Sequence, residues 1–276
     1  MKEMIFLNGK FTAKEEGCVS VNDPGFLYGW GVFETMRFKK GGTIYLDEHI
    51  NRLHSSCRLL DIDMFCPGGK LRSIIAQTIK RNALAEARVR VSVWKKEAGC
   101  GMLVTAARYT PLSGEKYRKG FRLCIAGLKQ DGSSVLARIK SMNRLLYELS
   151  YEQAGISGCD EALILNNRGQ VTECSRANIF FSRNGELFTP ALQCGCLNGV
   201  TRMAVLDLAR DNGIKVSEAK YTIKDLENAD EVFLTNSLFG VMPVQSIEGN
   251  KAGRAARRPL SGFLSEKYSR LWNLKK

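Results

Sequence analysis

The stretch EALILNNRGQVTECSRANIFFSRNGELF, residues 161–188, alternates apolar, strand-forming runs with turn residues. Breaks at Asn167-Arg168-Gly169 and Asn184-Gly185 predict three strands joined by hairpins, because Asn and Gly accept the positive φ that tight hairpin turns demand. Downstream, Asn198-Gly199 precedes a helix expected from Val200 to Asp211, ending before Gly213. Glu231 to Leu234 then reads as a short apolar strand running into Thr235-Asn236-Ser237. Upstream, Asn143 to Ala154 predicts an amphipathic helix closed by Gly155, and Phe121 to Leu128 a strand.

The N-terminal part has the same character. Met4 to Leu7 and Lys10-Phe11-Thr12 flank Asn8-Gly9, a hairpin signal. Val32 to Phe38 and Thr43 to Leu46 flank the turn Lys40-Gly41-Gly42. Asp47 reads as the N-cap of a helix whose Leu46, Ile50, Leu53, Cys57 and Leu60 form one buried stripe. Lys70 to Asn82 predicts a further helix, and Arg88 to Trp94 alternates as a strand. The polar segment Tyr109 to Gly120, with Pro111, Gly114 and Gly120, marks a boundary between expected domains 1–115 and 116–276. The fold class is therefore α/β: two α/β domains with mixed, mostly antiparallel sheets, since hairpin signals dominate.

Composition narrows the function. Among 276 residues, 44% are hydrophobic and 25% charged, which excludes disordered and fibrous classes. No apolar run is long enough for a membrane span or a signal peptide, so a cytoplasmic protein is expected. Lys plus Arg number 41 against 28 Asp plus Glu, a net +13. The basic residues are spread along the chain, apart from a denser stretch from Lys251 to Arg258, and do not interleave with aromatics. A field that steers a small anionic substrate fits this better than nucleic-acid binding. The nine cysteines include no Cys-x-x-Cys, Cys194-x-Cys196 is their closest pair, and His49 and His54 are the sole histidines, so neither a disulfide framework nor a metal site is expected.

Gly29-Trp30-Gly31 fails as a dinucleotide fingerprint because Glu34 stands at the third glycine and a strand follows instead of a helix. No phosphate-binding P-loop and no Gly-x-Ser-x-Gly elbow occurs. Three anion-binding features remain: Asn198 to Arg202 at a helix start, Thr235-Asn236-Ser237 after a strand, and Arg52 on a helix. Together they suit one dianionic phosphate, although each alone is also an ordinary cap, turn or solvated residue.

In order and spacing, the chain resembles the class IV (fold type IV) pyridoxal-phosphate enzymes. The resemblance runs through Asp23 to Thr35, His49-x-x-Arg52-Leu53, Lys140-Ser141-Met142-Asn143, Asp160-Glu161-Ala162, Val171-Thr172-Glu173, Asn178-Ile179-Phe180, Gly199 to Arg202 and Ala229 to Val232. It implies pyridoxal 5'-phosphate as cofactor, a small anionic amine as substrate and a homodimer, with neither nucleic acid nor membrane as partner. It implies that Lys140 is the Schiff-base lysine, in the C-terminal domain, and that Glu173 pairs with the pyridine nitrogen. Arg52, Val200, Thr201, Asn236 and Ser237 would form the phosphate cup.

Within the family, branched-chain aminotransferases carry tyrosine where this chain has Leu145 and glycine where it has Thr35. D-amino acid aminotransferases carry an Arg-Gly pair where it reads Trp94-Lys95-Lys96. Phe33-Glu34-Thr35 and Lys140-x-x-Asn143-Arg144 look most like the aminodeoxychorismate lyases, which implies a role for Thr35 at the substrate. Arg90, Lys95, Lys96 and Arg176 are candidate cations for that substrate's two carboxylates. The alternative is an aminotransferase acting on branched-chain or D-amino acids with 2-oxoglutarate. A non-enzymatic binder of anions or nucleic acid is more distant, since it leaves Lys140 and Glu173 without a purpose.

Overall fold

The computed structural model describes residues 2–39, 42–253 and 259–274. Lys40 and Gly41 of the expected turn, and residues 254–258 of the basic stretch, lie outside them. The chain forms two compact units, one of 1–110 with 139–143, the other of 111–138 with 144–274.

The first unit is an antiparallel six-stranded sheet in the order β2-β1-β6-β5-β3-β4. Its strands are β1 (Met4–Leu7), β2 (Lys10–Ala13), β3 (Gly31–Lys39), β4 (Gly42–Thr43), β5 (Glu86–Lys95) and β6 (Cys100–Arg108), with helices α1 (Pro24–Tyr28), α2 (Leu46–Leu59) and α3 (Gly68–Arg81). Asn8 and Gly9 take φ of 48° and 99°, so Leu7 pairs with Lys10 across a tight turn. The α2 stripe of Ile50, Leu53 and Cys57 packs on Val32 and Met36 of β3 and on Leu71, Ile74 and Ile75 of α3. Each leucine-sized side chain so buried contributes about 2 kcal/mol. The helix starts earlier than expected: Tyr45, at φ 54°, is the N-cap, and Asp47 lies in the first turn beside the positive dipole end.

The second unit is a nine-stranded mixed sheet, β12-β11-β10-β13-β14-β7-β8-β9, with β15 on β14. It comprises α4 (Gly114–Lys119), β7 (Phe121–Ile125), α5 (Leu145–Ile156), β8 (Glu161–Leu165), β9 (Val171–Cys174), β10 (Asn178–Arg183), β11 (Glu186–Pro190), α6 (Val200–Asp211), β12 (Val216–Ala219), α7 (Ile223–Glu227), β13 (Glu231–Asn236), β14 (Gly240–Ile247), β15 (Asn250–Lys251) and α8 (Leu260–Leu274). The pairs β11 with β12, β14 with β7 and β7 with β8 are parallel. Phe180 and Phe233 stack at 5.2 Å beneath Val205 and Leu206 of α6.

Three further expectations are corrected. Residues 161–188 form four strands, because the chain also turns at Ser175-Arg176-Ala177. The buried Glu161 carboxylate accepts from Ser175 Oγ at 2.5 Å and Arg176 N–H at 2.8 Å, and Cys174 N–H donates to the Ala177 carbonyl at 2.7 Å. Burial pushes the Glu161 carboxyl up to about 7, against those hydrogen bonds and the charges of Arg176 and Arg144. Further, the Lys140 segment groups with the first unit and not with the C-terminal one. Phe33 N–H donates to the Lys140 carbonyl at 2.9 Å, Met142 N–H donates to the Gly31 carbonyl at 2.8 Å, and Val32 bridges Ser141. Gly155, expected to close α5, is inside that helix.

Candidate functional site

In the first unit the alternation of β3 separates two sets of side chains. Glu34 and Met36 face α2, whereas Phe33 and Thr35 face the other way. Lys140 Nζ lies 4.8 Å from the centre of the Phe33 ring, and the Arg90 guanidinium lies 3.8 Å from the same ring. Arg90 is the register partner of Thr35 on β5. A lysine amine, a threonine hydroxyl and an arginine are thus collected around one half-buried strand face, which brings a nucleophile and a positive charge together.

On the opposite face Glu34, 1% exposed, receives Arg52 Nε at 2.6 Å and Nη2 at 2.8 Å, with His49 Nδ1 at 2.7 Å. Burial works against ionisation of this carboxyl, but the Arg52 charge and then His49 outweigh it and hold the group at about 2. The pair fixes the plane of the Arg52 fork. A carboxyl held below its unfolded value adds stability above the ordinary range near 4.5, and that stability drains away as pH falls toward 2. Glu34→Gln is expected to lower unfolding free energy at pH 7 by about 3 kcal/mol and to flatten the loss of stability between pH 4.5 and 2.5. Denaturant titrations at several pH values measure both; parallel curves for wild type and variant would exclude this role.

In the second unit Glu173, 6% exposed on β9, is met by three neutral donors. Tyr147 OH reaches Oε1 at 3.0 Å, while Asn178 Nδ2 and Leu197 N–H reach Oε2 at 3.1 Å each. Burial, and then the negative charge of Glu173, push the Tyr147 phenol far above its ordinary value, so that it stays a donor. Asn178 faces Glu173 because the turn at 175–177 brings β9 back into β10. Both Tyr147 and Asn178 escaped the sequence reading of the site. Asn178 stood in a recognised landmark, but only the turn that the sequence did not signal puts it opposite Glu173.

Helix α6 begins at Gly199 with no side-chain cap, leaving the first-turn N–H groups of Val200 and Thr201 to an outside acceptor. A Cβ on Gly199 would stand 2.1 Å from Asn178 Oδ1, so any larger residue here would push the Asn178 side chain from its place. Thr201 Oγ1 lies 3.4 Å from both Ser237 Oγ and Tyr268 OH. Asn236, in contrast, spends its side chain on the backbone, donating to the Arg176 carbonyl at 3.1 Å and accepting from Leu238 and Phe239 N–H. Its side chain shapes the turn that carries Ser237.

Of the other candidate cations, Arg176 is about half exposed, paired with Glu148 at 2.7 Å and stacked 3.5 Å over Tyr151. Lys95 donates to the Asp61 carbonyl at 2.8 Å. Leu145 is 71% exposed at the start of α5. Among the described residues, no group of three or more His, Cys, Asp or Glu side chains is arranged to hold a metal, and no helix is long and apolar enough to cross a membrane.

Comparison with known proteins shows the family. Residues 31–247 match the family of class IV amino-transferases. The chain is 34% identical to a Methanocaldococcus jannaschii protein assigned as a branched-chain-amino-acid aminotransferase, over 98% of both chains. It is 30% identical to a Listeria monocytogenes D-alanine aminotransferase, over 95% of this chain and 93% of the relative. It is 28% identical to the aminodeoxychorismate lyase of Bacillus subtilis, over 98% and 99%. The branched-chain aminotransferase of Thermoproteus uzoniensis superposes with a TM-score of 0.90 at 26% identity, covering all of this chain and 97% of that one. The chain therefore belongs to the class IV aminotransferase family, enzymes of fold type IV that depend on pyridoxal 5'-phosphate. The residues present fit that cofactor: the uncapped α6 start and its hydroxyls suit a phosphate, and the buried, triply hydrogen-bonded Glu173 suits a pyridinium.

Proposed function

We propose that this chain is a lyase that releases pyruvate from 4-amino-4-deoxychorismate and leaves 4-aminobenzoate, a step of folate biosynthesis. The observation that supports it best is the strand face where Thr35, Lys140 and Arg90 surround Phe33. In position 35 the branched-chain pattern has glycine, and in position 145 it has tyrosine. When bound, pyridoxal 5'-phosphate supplies a carbonyl that holds the substrate amine and a ring that accepts electrons.

In this reading Lys140 would hold the cofactor's carbonyl carbon and, when freed, would take the proton from the substrate carbon bearing nitrogen. Glu173 would face the pyridine nitrogen and favour its protonated form. Arg52, the Val200 and Thr201 N–H groups, the Thr201 and Ser237 hydroxyls and the Asn236 turn hold the phosphate. Arg90 attracts a substrate carboxylate, and the Thr35 hydroxyl orients the substrate or helps to place the proton. Loss of that proton would let the bond from the ring carbon to the enolpyruvyl oxygen break, with aromatisation of the ring driving it, and Lys140 would return the proton to the methylene carbon of the departing enolate to give pyruvate.

The second reading, an aminotransferase for branched-chain or D-amino acids with 2-oxoglutarate, is favoured by the relatives at 34% and 30% identity. Acceptor dependence separates the two. A lyase regenerates its cofactor in every cycle, whereas a transaminase without a keto acid stops after one turnover. Steady release of pyruvate and 4-aminobenzoate with no keto acid present is the expected result. Amino exchange with 2-oxoglutarate in the absence of lyase turnover would replace the first reading by the second.

The proposal includes a homodimer working in a reducing cytoplasm. Helix α1 exposes Phe26 and Tyr28 by 63% and 68%, and all nine cysteines are free thiols. Light scattering is expected to give twice the chain mass; a monomer at assay concentration removes the dimer from the proposal.

A further inference from the structure

Arg202 is a charged side chain 2% exposed, and a guanidinium is seldom taken out of water unless its donors find acceptors. Its Nη2 donates to the Pro190 carbonyl at 3.0 Å and to Glu218 Oε2 at 2.7 Å, and its Nη1 donates to Asn198 Oδ1 at 3.3 Å. The fork thus grips both ends of the loop that leaves β11 and enters α6. Between those ends lies Leu197, whose N–H donates to Glu173 at 3.1 Å and whose carbonyl accepts Asn178 Nδ2 at 2.8 Å. Immediately after Asn198 come Gly199, Val200 and Thr201, the uncapped start of the helix that carries Arg202 itself.

We infer that Arg202 is a positioning residue, whose single buried charge sets the Leu197 N–H on Glu173 and the first-turn N–H groups of α6 at the same time. This rests on the roles proposed above for Glu173 and the α6 start. A lysine would hold Glu218 as a point charge, but it lacks the planar fork that reaches Pro190 and Asn198 together. Asn198→Ala removes the link from the fork to the loop's end, together with the Asn198 Nδ2 contact to Met203 Sδ at 3.5 Å, and leaves the buried charge paired with Glu218.

The test compares Arg202→Lys and Asn198→Ala with wild type and Glu173→Gln. Cofactor-free protein is titrated with pyridoxal 5'-phosphate and, separately, with inorganic phosphate, and the visible absorption of the loaded protein is followed against pH. Both loop variants are expected to weaken cofactor and phosphate binding about tenfold, the effect of losing one charge-assisted hydrogen bond. They are also expected to shift the pH midpoint of the absorption in the direction taken by Glu173→Gln. If Arg202→Lys does not fold, Asn198→Ala alone decides. Wild-type binding and an unmoved midpoint, with only the melting temperature lowered, overturn the inference. If Glu173→Gln moves the spectrum and the loop variants do not, the Arg202 inference alone fails; if Glu173→Gln is also silent, the reading of Glu173 fails and takes this one with it.

Discussion

Lys140→Ala is expected to lose turnover by about 10⁴-fold or more while still binding pyridoxal 5'-phosphate without a covalent bond. The lysine has two tasks in the proposed function, holding the cofactor carbon and moving a proton, and removal of a nucleophile that is also the base is not repaired by water at neutral pH. Cofactor retention should survive in part, because Thr201, Ser237 and the α6 start are on other segments than residues 139–143. Borohydride treatment of the wild-type holoenzyme should bleach its long-wavelength absorption and leave one adduct, found by peptide mapping on Lys140. An adduct on any other lysine ends the assignment. Since the Lys140 segment is tied to β3 by the Phe33 and Met142 backbone bonds, which alanine leaves intact, the variant should melt close to wild type.

How much of this could be read from the residues differs from place to place for physical reasons. The turns at Asn8-Gly9, Gly169 and Asn184-Gly185 were legible because their positive φ angles require residues that tolerate them. The turn at 175–177 was not, since Ser175, Arg176 and Ala177 carry no such mark. It is held by a carboxylate from Glu161, fourteen positions away along the chain, and a contact of that range has no local signature. The same applies to Lys140. Local pattern put it after the boundary at 116, but strand pairing with Val32 returns its segment to the first unit. Of the residues proposed for the phosphate cup, Val200 and Thr201 were legible as a helix start after Asn-Gly. The diversion of the Asn236 side chain into its own turn was not, because an asparagine can serve either a ligand or a backbone.

The last expected result concerns Glu173, and its force lies in the separation of fold from chemistry. Glutamine keeps the shape of the side chain, and its oxygen can occupy the Oε2 position to accept from Asn178 and Leu197 as before. Its amide then faces Tyr147, whose hydroxyl already accepts from Gln130 Nε2 at 2.8 Å and has a second lone pair to offer. The cost to stability should therefore stay near 1 kcal/mol, the scale of one altered neutral hydrogen bond. The charge is nevertheless gone. An amide cannot hold a positive pyridinium as the carboxylate does, so the electron sink weakens, and turnover is expected to fall by about 10²- to 10⁴-fold with cofactor still bound. Steady-state rates at saturating cofactor, together with melting curves, check both halves. Near-normal turnover would show that the buried carboxylate merely joins β9 to the loop before α6; a fall in rate matched by a collapse in stability would make Glu173 structural as well. Only loss of rate on an intact fold fits a carboxylate that faces the cofactor ring.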